Sequence, residues 1–417
     1  MSLTVSRLWW NWESDEKLYP TWKKFVQELR DQHNVRTLSY INPFLANVSS
    51  KPDGYRRDLF LEASEKGYMI QNATTNSTSI VSSGPGIDAG IVDLTNPAAR
   101  SWFRDVLIDQ VFSANVSGYM CDFGEYTPVT KDTRFYNKSI DPMFYHNQYP
   151  RDWPKLHHSL TKSVSSFKES ILFQRSSALG SQRYMNLYWA GDQNTNWGLN
   201  DGIKSSITVM GHMGLSGFAH GHVEIGGYTT TWLESGVVNR TAELLGRWGE
   251  LSAVSSAVFR SHEGNVPQLN AQFYSNSTTY AYYAYNARMF RSLAKYRRRI
   301  LDTESKNLGW PLLRMPVIYH PNDVKAKSIS YESFYLGADL YVAPVVDSGR
   351  TSVEVYLPGK ETFTHVWSGA KYEGGQTIRV AAPYGKPAVF VVGKPQHNDL
   401  KDFLEFARKE NGTVIHV

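Results

Sequence analysis

GYMCDFGEY, residues 118 to 126, decides how the chain is read. The apolar run Gly118 to Cys121 carries Asp122 to a point where Gly124 breaks the strand, with Glu125 and Tyr126 following. A buried parallel strand ending on a carboxylate delivers that group to the mouth of an α/β barrel. A strand-ending Asp also serves as a helix cap or turn former. The stretch gains meaning from a second one, MNLYWAGDQN at 185 to 194, where another short apolar strand ends at Gly191-Asp192. Two strand-end carboxylates facing one pocket are the equipment for breaking a glycosidic bond.

Working outward, helices and strands alternate. VSRLWWNW (5 to 12) is an aromatic-rich strand or loop holding the cation Arg7. Trp22, Phe25, Val26 and Leu29 recur at helical spacing between Pro20 and Gln32, and Val35 to Asn42 reads as a buried strand ended by Pro43. A second helix spans Tyr55 to Lys66, stopped by Gly67; GPGIDAGIVDL then forms a loop and short strand. Asn96 caps a helix with Pro97 in its first turn, running to about Phe112. Residues 127 to 152, polar and rich in Tyr and Pro, read as a long loop above the barrel. A helix from Pro154 to Glu169 leads to the strand ILFQR, ending at Arg175. Further helices are expected at Asn200 to Met213, Asn239 to Ser252 and Thr279 to Asp302, with SGFAHGHVEIGGY (216 to 228) and VFRSHEG (258 to 264) between them.

This alternation implies a parallel sheet, and functional residues at strand ends point to a (β/α)8 TIM-type barrel. After about Ser330 the rhythm changes to short strands separated by Gly/Pro turns, the pattern of a β-sandwich. The expected fold class is therefore α/β, a barrel over residues 1–330 followed by an all-β sandwich domain over 331–417.

With 417 residues, 41% of them hydrophobic, the chain has ample material for a large core. Its 12 Trp and 25 Tyr serve core packing and, where exposed, stacking on sugar rings. The net charge of +5 has one real cluster, Lys295 to Arg299 (KYRRR), which reads as a solvated helix face rather than a nucleic-acid surface. The single cysteine, Cys121, excludes an intramolecular disulfide and a multi-thiolate metal site, and reads as a small core residue. Eight Asn-X-Ser/Thr triplets, at Asn47, Asn72, Asn76, Asn115, Asn137, Asn239, Asn276 and Asn411, favour a glycoprotein of the secretory pathway, secreted or lysosomal. No signal peptide or membrane span is visible. The sequence leaves room for a homo-oligomer without specifying one.

In order along the chain, RLWWNW, YINPFLA, VDLTNP, CDFGEYTP, GSQRY, WAGDQN, IGGYTT, RSHEGN, LGADLYVAPV and GKPAVFV resemble glycoside hydrolase family 31, and within it the sulfoquinovosidases. The resemblance covers about Arg7 to Val392 and implies a (β/α)8 barrel followed by β-sandwich domains. It also implies a retaining α-glycosidase needing no metal or organic cofactor, with Asp122 as nucleophile and Asp192 as general acid/base. Arg175, 17 residues before Asp192, matches the family's active-site arginine at the spacing of the sulfoquinovosidases. His262 matches a sugar-hydroxyl ligand, and Glu125 and Trp189 join the expected substrate-binding set. For Arg175 and His262 the alternatives are a structural ion pair and a satisfied core histidine.

Arg7, Trp10 and Tyr228 match the residues that bind the sulfonate on C6 of the sugar. The physics fits: a guanidinium offers fixed, always-charged donors to a tetrahedral oxyanion, an indole N–H adds a directed one, and a phenol acts directly or through water. The alternative pairs Arg7 with a loop acid and uses Trp10 as core. The resemblance thus implies hydrolysis of a sulfonated, sulfolipid-derived glycoside. Against it stand another family 31 specificity, an α-glucosidase or α-xylosidase, and a catalytically inactive sugar-binding glycoprotein. Two departures stand out. Glu224 sits where the family usually has Asp, and the family's amino-terminal β-domain and first two barrel strands would lie upstream of RLWWNW, so an amino-terminally incomplete barrel is expected.

Overall fold

The structure is a computed structural model, and it describes residues 9–49, 54–82, 88–163 and 169–415. The chain forms two compact units, Met1–Leu187 and Tyr188–Val417. Each has its own hydrophobic core.

In the first unit the GYMC segment is a strand with all four residues buried, Gly118–Cys121, flanked in parallel by Ser39–Ile41 and Ile171–Gln174. Tyr40 faces Met120 across one ladder, and Cys121 faces both Ile41 and Gln174. Gly118 is obligatory: its φ is +137°, and an added Cβ would lie 1.9 Å from the Ile171 carbonyl oxygen. The strand expected from Val35 starts only at Ser39. Val35 and Leu38 are 46% and 38% exposed, so no burial draws those residues into the ladder.

Trp22–His33 is helical and stops at Asn34, whose φ of 51° is left-handed. The helix at Pro97–Val106 starts as expected, with Asn96 Oδ1 accepting from the Ala98 N–H at 2.9 Å. It continues through a π-turn at Leu107–Val111. The expected loop at 127–152 is corrected: a 22-residue helix runs Pro142–Ser163. Asp141 Oδ1 caps it through the Phe144 N–H at 3.0 Å. Pro150 and Pro154 lie inside this helix, where prolines each cost about 3 kcal/mol. Buried Tyr145, Tyr149, Trp153, Leu156 and Leu160 on one face offset that cost.

In the second unit Tyr188 and Trp189 pair in parallel with Gly221 and His222. Single parallel bridges join Asn194 to Thr229 and Ile225 to Ser261. Helices Ile203–Leu215, Ala242–Ala253 and Ser277–Ser292 pack around them. The β-rich part is a six-stranded antiparallel sheet in the order Leu313–Arg314, Phe334–Leu336, Leu340–Ala343, Ala388–Val392, Thr362–His365, Lys371–Glu373. A two-stranded ladder, Ser352–Leu357 with Gln376–Ala381, accompanies it.

The KYRRR cluster is not a solvated face. Arg297 is buried and donates to the Ala253 and Phe290 carbonyls at 2.8 and 3.0 Å, placing a cation on the carboxyl end of the Ala242–Ala253 helix. Arg299 binds Asp339 at 2.9 Å, together with Glu304 and Asp399. Of the three arginines, only Arg298 is exposed.

Three of the glycosylation triplets are compact turns. The Asn47, Asn72 and Asn137 side-chain oxygens accept from the N–H two residues on, at 3.0, 2.9 and 3.2 Å. Asn276 closes a capping box with Thr279. Turn and cap chemistry therefore accounts for half of these triplets without a glycan. No helix among the described residues is long and apolar enough to cross a membrane.

Candidate active site

The amino-terminal unit builds one carboxylate centre. After Cys121 the chain leaves the ladder, with the Asp122 N–H still donating to the Ile41 carbonyl at 2.9 Å. Phe123 (φ 55°) and Gly124 (φ 109°) then turn it sharply. This turn lets the Phe123 N–H donate back to Asp122 Oδ1 at 2.8 Å. Arg175 leaves the neighbouring strand in register, its N–H reaching the Cys121 carbonyl at 3.3 Å. Its Nη1 lies 2.8 Å from Asp122 Oδ1, and its Nη2 binds Glu125. The guanidinium also sits 4.4 Å from the Phe123 ring centroid. Asp122, Glu125 and Arg175 are thus brought together.

Asp122 is 6% exposed. Burial raises its pKa above the ordinary carboxylate value, while the Arg175 charge and the Tyr40 and Phe123 hydrogen bonds pull it down. Tyr40, which the sequence did not single out, donates its hydroxyl to Asp122 Oδ2 at 2.6 Å.

Trp10 is buried, stacked on Phe44 at 4.8 Å and edge-on to Phe123 at 5.9 Å. Its indole N–H is buried with no hydrogen-bond partner among the described residues. The ring is core, as the alternative reading required, yet its donor is unmet. Arg7 lies outside the described residues.

In the second unit Trp189 is buried at the end of its strand and Asp192 is half-buried just beyond it. The IGGYTT loop is tied to this segment. Tyr228 and Thr229 donate backbone N–H groups to the Gln193 carbonyl at 2.8 and 3.0 Å, and Thr229 Oγ1 donates to the Asp192 carbonyl at 3.3 Å. The Tyr228 ring meets His262 edge-on, centroids 4.7 Å apart. His262 Nδ1 accepts from the Gly264 N–H at 3.0 Å, so the neutral ring carries its proton on Nε2. Burial, then the Arg260 and Arg240 charges, lowers the His262 pKa to about 4. The Asp192 backbone is therefore tied to the loop that carries Tyr228, whose ring touches His262. Glu224, fully buried, is ion-paired with Arg260, so the longer acid is accommodated by a cation on the neighbouring segment.

These features have counterparts in known proteins. Residues 2–303 match the glycosyl hydrolases family 31 TIM-barrel domain, and residues 309–394 the glycosyl hydrolase family 31 C-terminal domain. The chain belongs to glycoside hydrolase family 31. Among relatives of this family 31 chain, the sulfoquinovosidase of Escherichia coli (strain K12) is 34% identical over 384 residues, 92% of this chain and 53% of that protein. The sulfoquinovosidase of Agrobacterium fabrum is 35% identical over 400 residues, 96% of this chain and 57% of that protein. A solved family 31 sulfoquinovosidase from E. rectale, in complex with the aza-sugar inhibitor IFGSQ, superimposes with a TM-score of 0.85 at 32% identity. That match covers 97% of this chain and 57% of the other. The chain thus spans little more than half the length of these relatives. Its fold is the family's barrel domain followed by a β-rich C-terminal domain.

Proposed function

We propose that this family 31 chain belongs to a retaining, exo-acting α-glycosidase that hydrolyses α-sulfoquinovosides. In this reading Asp122 attacks the anomeric carbon while Asp192 protonates the departing oxygen, giving a glycosyl ester on Asp122. Asp192 then takes a proton from water, which attacks the same carbon and frees the sugar with its original anomeric configuration. The chemistry needs Asp122 ionised, and the observation that carries the reading is the Arg175 guanidinium 2.8 Å from its carboxylate in an otherwise burying site. The neutral Nε2–H of His262 is suited to a sugar hydroxyl.

Preference for a sulfonated sugar is supported by the two sulfoquinovosidase relatives and by Trp10, whose buried indole N–H, without a partner among the described residues, is a directed donor. Arg7 and Tyr228 would complete an anion site of fixed donors. The test is hydrolysis of paired aryl α-sulfoquinovoside and aryl α-glucoside. Strong preference for the sulfonated substrate supports the reading. Preference for the glucoside retains the carboxylate chemistry and removes the sulfonate site, and inertness toward both favours a non-catalytic sugar-binding role.

A further inference from the structure

The two oxygens of Asp122 are held differently. Oδ1 is met by the Arg175 guanidinium, its Nη1 at 2.8 Å, and by the Phe123 N–H at 2.8 Å. Among the described residues Oδ2 is met by the Tyr40 hydroxyl alone, at 2.6 Å. Among the described residues Oδ2 thus has one partner for two acceptor positions, and it is the oxygen with capacity left for bond formation.

The Tyr40 proton is directed at Asp122 by a chain of fixed groups. Asn42 is fully buried, and its Oδ1 accepts from the Phe44 N–H at 2.9 Å, which sets the amide orientation. Its Nδ2 then faces Tyr40 and donates to the phenol oxygen at 3.1 Å. With an acceptor position thus filled, the hydroxyl turns its proton to Oδ2. About a third of Tyr40 is open (37%), but its hydroxyl end is enclosed, and burial with the nearby Asp122 charge keeps the phenol protonated.

We propose that Tyr40 is a further catalytic group that acts on Asp122 Oδ2, slowing formation of the glycosyl ester and accelerating its breakdown. The inference rests on Asp122 being the nucleophile of the proposed function. In the first step a lone pair of Oδ2 forms the bond to the anomeric carbon as the bond to the aglycone breaks. The Tyr40 hydrogen bond stabilises the starting carboxylate and so restrains this step. In the second step water adds to the anomeric carbon, the carbon–Oδ2 bond breaks, and its electron pair returns to Oδ2. The Tyr40 hydroxyl already points at that developing charge and needs no reorganisation to stabilise it. Arg175 and the Phe123 N–H hold the other oxygen throughout.

The test is pre-steady-state hydrolysis of 2,4-dinitrophenyl α-sulfoquinovoside and the matching glucoside by the wild-type chain and Tyr40→Phe, with acid-quenched intact-mass spectrometry. Tyr40→Phe should release the first equivalent of dinitrophenol at least as fast as wild type, then turn over on the order of 10- to 100-fold more slowly. The glycosyl-enzyme mass should accumulate to near one per chain, and the burst amplitude counts correctly folded sites. An active wild type whose Tyr40→Phe variant shows no accumulation, or loses burst and steady-state rates equally, overturns the role of Tyr40 alone. A wild-type chain that neither turns over nor acquires the sugar mass overturns the glycosidase reading, and this proposal with it.

Discussion

Arg175 divides one guanidinium between two acids: its Nη1 stands 2.8 Å from Asp122 Oδ1, while its Nη2 holds Glu125. The arginine offsets the burial of Asp122, and Glu125 keeps it in place. Arg175→Met should therefore raise the Asp122 pKa further, moving the acid limb of kcat/KM to higher pH and lowering the plateau on the order of 100-fold. The sign for stability is opposite to that of a carboxylate whose pKa is lowered on folding. A raised native pKa makes Asp122 contribute most below the unfolded value of 3.8, and that contribution is lost as pH rises through the native value. Urea unfolding from pH 3 to 8 should show a larger loss in the variant than in wild type; an unchanged kinetic limb would remove Arg175 from this role.

Asp192 is half-buried, and its backbone carbonyl accepts from Thr229 Oγ1. As general acid it matters in proportion to the basicity of the leaving group. Asp192→Ala should lose roughly 1,000-fold on glyceryl α-sulfoquinovoside and about 10-fold or less on the dinitrophenyl glycoside in the first step. Equal losses on both would exclude an acid role.

His262 should not titrate in the neutral range. Its Nδ1 is occupied by the Gly264 N–H, and its pKa is lowered to about 4. Nitrogen-15 NMR of labelled histidine should show the Nε2–H tautomer unchanged between about pH 6 and 8. A midpoint near the usual histidine value would contradict the enclosure described here, and with it the fixed donor offered to a sugar hydroxyl.

Adjacent arginines in KYRRR should differ sharply. Arg297→Ala strips a buried cation from the carboxyl end of a helix and should cost about 2–4 kcal/mol, whereas exposed Arg298→Ala should stay within about 0.5 kcal/mol. Denaturant midpoints at constant m-value decide this, and equal effects would return the cluster to a solvated face.

What the sequence made legible was local. The Asp122 strand announces itself because an unbroken apolar run ends in an acid and a glycine. The Asn96 cap is equally plain, since cap, proline and helix are consecutive. The rest depends on partners far along the chain. Tyr40 meets Asp122 across 82 residues through a parallel register that no local pattern encodes. Arg297 is buried by a helix end 44 residues away, so its neighbours in sequence described it as charged surface. The part of the Pro142–Ser163 helix before Pro154 was hidden by Pro150 and Pro154, whose local preference is overridden by the aromatic face packing inward. Asn-X-Ser/Thr is ambiguous for another reason: the same three residues that accept a glycan also close a turn.

The chain contains one thiol, and it sits one residue before Asp122, sealed in the central strand, with burial holding its pKa well above that of a free cysteine. Thiolate is therefore scarce and out of reach while this strand stays paired. A disulfide reagent added to the native protein consequently meets nothing until the ladder opens. Its reaction rate becomes a clock for the opening of the very segment that carries the attacking acid, readable without a label or a substitution.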